Sequence, residues 1–92
     1  MKLEVAHLDI DDVLMVIVFV DPGHASAEFM RKLEACVAGN NLRGTVVPVW
    51  QDGFGRTQFI ASAEQHPFFQ ITGYSQLRAQ VNSTLDCDLA SG

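Results

Sequence analysis

The stretch Val13-Leu14-Met15-Val16-Ile17-Val18-Phe19-Val20 is apolar at every position and rich in β-branched residues. Such a run reads as a strand covered on both faces, the kind found at the centre of a sheet flanked by helices. Asp21-Pro22-Gly23 stops it, because proline fixes φ and has no amide donor. The run is too short to cross a bilayer. It follows Asp9, Asp11 and Asp12 rather than a basic stretch, so it does not read as a signal peptide.

Working outward, the spacing predicts a helix over 24–38. Phe29, Leu33, Cys36 and Val37 fall at i, i+4, i+7 and i+8 and make one apolar stripe. Glu28 and Lys32 are placed to pair on the outer face. Two starts remain open: Asp21 as cap with Pro22 in the first turn, or Ser26 capping a shorter helix. Gly39-Asn40-Asn41 ends the helix, with Gly39 expected as the left-handed residue. Two strands follow, 45–50 and 56–61, joined by Gln51-Asp52-Gly53-Phe54-Gly55, whose Asp-Gly step signals a hairpin. Pro48 cannot donate to a ladder, so its strand is expected at an edge, or Pro48 at a bulge or strand start.

Glu64-Gln65-His66-Pro67-Phe68-Phe69 reads as a loop, and 75–85 as a closing helix. Leu77, Val81 and Leu85 would face the core there, with Ser75 as cap. Residues 86–92 read as a flexible tail. Residues 1–12 are an ambiguous lead-in: Leu3/Val5 and Leu8/Ile10 each alternate, but the phase slips between the pairs, so strand and short helix both remain open. The expected fold is α/β, a single domain over 1–92. Its order is β-α-β-β-α, a mixed sheet with helices packed on it.

Ninety-two residues, 48% of them apolar, suffice for one core and exclude a disordered chain. Eleven acids against six bases leave a net charge of −5, which argues against nucleic acid as partner. Cys36 and Cys87 form neither a C-x-x-C nor a zinc-ligand spacing. The expectation is a cytoplasmic protein with reduced thiols, folding without metal, disulfide or cofactor. Cys36 would be a buried thiol on the helix stripe, and Cys87, between Asp86 and Asp88, a poor nucleophile.

Asn41-Leu42-Arg43-Gly44-Thr45-Val46-Val47-Pro48, leading into the Asp52-Gly53 hairpin, and Gly73-Tyr74-Ser75-Gln76-Leu77 resemble the C-terminal half of thioredoxin-fold proteins. Residues 13–30 are similar to that family's central strand and following helix. The resemblance implies a reduced thioredoxin-like fold. The chain departs from the family at Pro22-Gly23-His24-Ala25-Ser26, where the redox C-x-x-C would sit and no cysteine occurs. Pro48 also falls two residues later than the family's cis-proline, and a middle strand–helix unit is shortened or absent. The relative implied is redox-silent.

Two places could carry function. Gly23, His24 and Ser26 stand at a helix N-terminus beside Asp21, an arrangement that suits an anion; plain helix capping explains the same residues. The other place is aromatic. Six of the eight aromatics lie within 50–74. Phe59 reads as core, leaving Trp50, Phe54, Phe68 and Phe69 as a partner-binding patch on the hairpin and the loop before the last helix. Asp9, Asp11 and Asp12 read as a solvated turn, since no metal-binding pattern completes them. The expected function is a non-catalytic protein-interaction or assembly module, with a protein partner or a second copy and no membrane or nucleic acid. The alternatives are a redox or anion-binding thioredoxin-like relative using His24, and a purely structural homodimer unit.

Overall fold

The computed structural model describes residues 2–21 and 26–87. Five strands, β1 (Lys2–Ile10), β2 (Val13–Phe19), β3 (Thr45–Gln51), β4 (Thr57–Phe59) and β5 (Ser83–Asp86), form one sheet of order β4-β3-β2-β1-β5. The apolar run is the central strand, as its composition demands. It pairs antiparallel with β1 and parallel with β3. Helix α1 (Ala27–Gly39) lies in the β2-to-β3 crossover, and α2 (His66–Ile71) and α3 (Tyr74–Arg78) follow β4. The chain is therefore a small α/β domain with a mixed sheet.

Each face of the sheet builds its own core. On one, Leu3, Val5, Val16, Val18 and Val20 pack with Phe29, Leu33 and Val37 of α1. On the other, Ala6, Met15, Ile17, Phe19, Val47 and Val49 pack with Phe69 of α2 and Leu77 of α3. This arrangement explains the phase slip near the N-terminus. Residues 2–10 are one continuous strand, in unbroken register from Val5 opposite Val18 to Ile10 opposite Val13. Leu3 and Val5 face the α1 side, whereas Leu8 and Ile10 pack on the α2–α3 side. Apolar residues change parity where the covering helix changes face. Asp11 (φ 51°) and Asp12 (φ 65°) make the two-residue turn into β2, the pair of left-handed residues that a type I′ hairpin requires.

Pro48 is fully buried on β3, which lies between β2 and β4 rather than at an edge. Its carbonyl accepts from the Ile60 amide at 3.2 Å, so its missing N–H faces the β4 side, since a strand residue presents both groups to one neighbour. The ladder cannot be completed there, and β4 stops at Phe59. The second strand expected over 56–61 is shortened for this reason.

Helix α1 takes the later of its two possible starts. Ser26 is the cap, its Oγ accepting from the Phe29 amide at 3.1 Å. Glu28 and Lys32 pair at 3.7 Å as their spacing predicts. The left-handed residue at the far end is Asn41 (φ 60°) rather than Gly39. The Asn40 side chain instead reaches back to the Cys36 carbonyl at 2.9 Å. Gly44 does need to be glycine: at φ +137° a Cβ would lie 2.7 Å from the Leu14 carbonyl oxygen.

Three expectations for the C-terminal third are corrected. Most of the loop expected over 64–69 belongs instead to α2 (His66–Ile71), with Pro67 in its first turn, where a missing amide is harmless. The closing helix ends at Arg78 instead of Leu85. Leu77 and Leu85 satisfy a helical period but enter opposite cores; one helix stripe cannot do that. Leu85 belongs to β5, which pairs with β1 from Lys2 opposite Asp86 to Val5 opposite Ser83. The Asn82 carboxamide continues that edge, accepting from the His7 amide and donating to the His7 carbonyl, both at 2.9 Å.

The third correction concerns the cysteines. Cys36 and Cys87 form a disulfide, with Cα atoms 5.9 Å apart. The bridge ties the last turn of α1 to the residue after β5, so 86 and 87 are anchored; the rest of the expected tail, 88–92, lies outside the described residues. Fifty-one positions separate the two thiols in sequence, and only the β5–β1 pairing beside α1 brings them together. Among the described residues no helix is long and apolar enough to cross a membrane.

Candidate functional site

The four rings expected to form one patch are divided by the sheet. Trp50 is partly buried against the α1-side core, whereas Phe68 packs on the opposite core. Phe69 is only 1% exposed, stacked on Phe59 at 5.0 Å, with Phe68 edge-on at 5.1 Å. Phe69 is therefore a core residue, while Trp50 stays partly exposed on the α1 side of the sheet. A loop cannot easily turn adjacent rings inward, whereas helix positions about 100° apart let Phe69 face the core and Phe68 lie at its margin.

Phe54 does project, at 87% exposed. The hairpin that carries it is organised by one side chain. Asp52 Oδ1 accepts from the Phe54 amide at 2.8 Å and the Arg56 amide at 2.9 Å, and Oδ2 from Gln58 Nε2 at 2.9 Å. The Arg56 amide foremost, then the Gln58 carboxamide, holds the Asp52 carboxyl below its ordinary value of 3.8. Gly55 turns at φ 80°, and the Arg56 guanidinium stands over the Phe54 ring at 5.9 Å.

A depressed carboxyl pKa stabilises the folded loop above its ordinary value and stops doing so as pH falls through the lower folded value. Acidification below pH 3.8 is therefore expected to loosen the hairpin tip before the sheet. Amide exchange at Phe54 and Arg56, followed by NMR against pH, checks this. Unchanged protection while the carboxyl protonates would show that other contacts hold the loop.

The surface that sequence reading missed lies at the other end of the sheet. A groove of about 340 Å³ runs between the β1–β2 turn and α2, walled by Ile10, Val13, Met15, Phe68 and Ile71. Ile71 is 83% exposed and Val13 44%. Asp11 and Glu64 stand on its rim, and no His, Cys, Ser or Lys is among its lining residues. Gln65, also in the lining, has its Oε1 buried without a hydrogen-bond partner, an arrangement that costs about 1–3 kcal/mol when left unmet. Beyond Phe68 and Ile10, a second depression of about 470 Å³ continues towards Asp9, Thr72 and Leu77. A signal for this site exists in the apolar Ile71 and Val13, but Ile71 follows the expected loop closely and Val13 opens the expected buried strand.

The anion corner is only partly in view. Gly23 and His24 lie outside the described residues, and the Ser26 hydroxyl caps α1. A depression of about 500 Å³ between the start of β1 and α3, lined in part by Asp21, holds Arg78. That guanidinium is engaged: it pairs with Glu4 at 2.9 Å and lies 4.9 Å from the Phe19 ring centroid. Among the described residues no three His, Cys, Asp or Glu side chains converge to hold a metal ion.

No family model, curated protein or solved structure matches the chain. The thioredoxin-like resemblance therefore rests on the sequence of residues 13–22 and 41–85 alone.

Proposed function

We propose that this domain is a non-catalytic protein-interaction module whose docking site is the groove between α2 and the β1–β2 turn. The single observation that carries the reading is the join of exposed apolar side chains, Ile71 and Val13, to a partly buried ring, Phe68, under a carboxylate rim. Apolar surface of this kind, bordered by one sign of charge, suits an apolar segment that carries a cation. The cytoplasmic setting expected from the cysteine spacing rested on free thiols; the Cys36–Cys87 bridge removes that support, since disulfides persist in oxidising surroundings.

Titration with acetyl-Phe-Arg-amide, followed by NMR, tests the docking site. The expected result is saturable shifts at Val13, Gln65, Phe68 and Ile71, weaker shifts with acetyl-Phe-Glu-amide, and an affinity about tenfold lower in Ile71→Ser. Ile71 is exposed, so that variant should stay folded. Shifts confined to the Tyr74–Arg78 depression, or none in the groove, would overturn the reading.

A further inference from the structure

We infer that the occupant of the groove is the β3–β4 hairpin tip of a second copy of this chain, so that the domain associates head to tail. The inference rests on the docking reading above and names its partner. The tip presents the two things the groove lacks. Phe54 is an apolar ring 87% exposed with no core to enter, and Arg56 carries a cation beside that ring at 5.9 Å. The groove offers the complement: an apolar floor at Phe68 and Ile71, and the Asp11 and Glu64 carboxylates that a guanidinium suits. Asp52 keeps its negative charge, but its oxygens are turned inward, where they accept three N–H donors within the tip.

Two further features favour a second copy over a foreign segment. The tip is already ordered by Asp52, so little loop freedom is lost on docking, which lowers the cost of association. The two surfaces also lie at opposite ends of the sheet. β3 runs parallel to β2, with Thr45 level with Met15 and Val49 with Phe19. The tip after Gln51 therefore extends past the C-terminal end of β2, while the groove adjoins Val13 at its N-terminal end. The strand between them spans roughly 20 Å, so no chain can seat its own tip. A contact between two different patches is heterologous and closes only as a ring; otherwise it continues as a chain of copies. One ring and one cation bury less than a standard interface, so the association is weak and transient.

The test is complementation, read by sedimentation over about 10 μM to 1 mM. The wild-type chain is expected to self-associate progressively, and Phe54→Ala and Ile71→Ser each to do so at least tenfold more weakly. An equimolar mixture of the two variants should recover one contact, the Ile71→Ser chain supplying the tip and the Phe54→Ala chain the groove, and stop at a dimer. A wild-type chain that stays monomeric throughout overturns the inference. So does a mixture that forms no dimer, or Phe54→Ala associating as the wild type does. Acetyl-Phe-Arg-amide separates the two failures: if it still shifts the groove signals, the docking site stands and only the second copy is refuted, whereas no shift refutes both.

Discussion

Reduction of the Cys36–Cys87 bridge is expected to lower the melting temperature by roughly 10–25 °C. The bridge closes a loop of 51 positions, and removing such a constraint releases about 2–4 kcal/mol of unfolded-chain entropy, which in a domain this size moves the midpoint by several degrees per kcal/mol. Native contacts should fail in a defined order. β5 meets β1 over only four residues, Lys2 to Val5, and the bridge is what ties the end of that edge strand to α1. Melts with and without dithiothreitol, beside the Cys36→Ser/Cys87→Ser double variant, measure the effect, and hydrogen exchange should show β5 losing protection first. Separated cysteines in the sequence predict the opposite result, two superimposable melts. Coincident curves would restore that expectation and show that α1 and β5 hold without the bond.

Phe69→Ala is expected to cost about 3–5 kcal/mol, the range for truncating a large core ring, while Phe54→Ala changes stability by no more than about 0.5 kcal/mol. Phe69 is 1% exposed, stacks on Phe59 and meets Phe68 edge-on, so its removal leaves a cavity in the α2–α3-side core. Domains of this kind are stable by only about 5–15 kcal/mol, so the Phe69 variant should lose a large share of its margin. Urea titration checks both: the midpoint should fall sharply for Phe69→Ala at unchanged slope, and stay put for Phe54→Ala. Equal losses in the two variants would mean that the hairpin tip also packs into the fold.

The aromatic segment shows why a surface is harder to read than a core. Trp50, Phe54, Phe68 and Phe69 crowd together in sequence, and such ring clustering predicts one patch. The sheet separates them, because Trp50 packs on the α1 side and Phe68 on the other. Phe54 alone was readable as exposed, since the Asp52-Gly53 step and Gly55 specify a hairpin tip by local geometry. Ile71 and Val13, which define the groove, carry no such local mark. They become a site only when α2 lies beside the β1–β2 turn.

What the amino-acid sequence determined by itself is whatever depends on neighbours a few positions away. The all-apolar stretch at 13–20 required a central, doubly covered strand; the Phe29, Leu33, Val37 stripe required a helix on one face of it. Ser26 supplied a cap within reach of the Phe29 amide, and Asp52 a turn within reach of its own loop. Tertiary structure decided what depends on contacts between distant segments. It gave Leu85 to a strand, because the outer edge of β1 needed a partner and Leu85 could pair there opposite Leu3. It made β1 one strand despite its phase slip, because different helices cover its two halves. It also joined Cys36 to Cys87, whose proximity comes from β5 lying against β1 alongside α1, a long-range pairing that no periodicity in a single chain can announce.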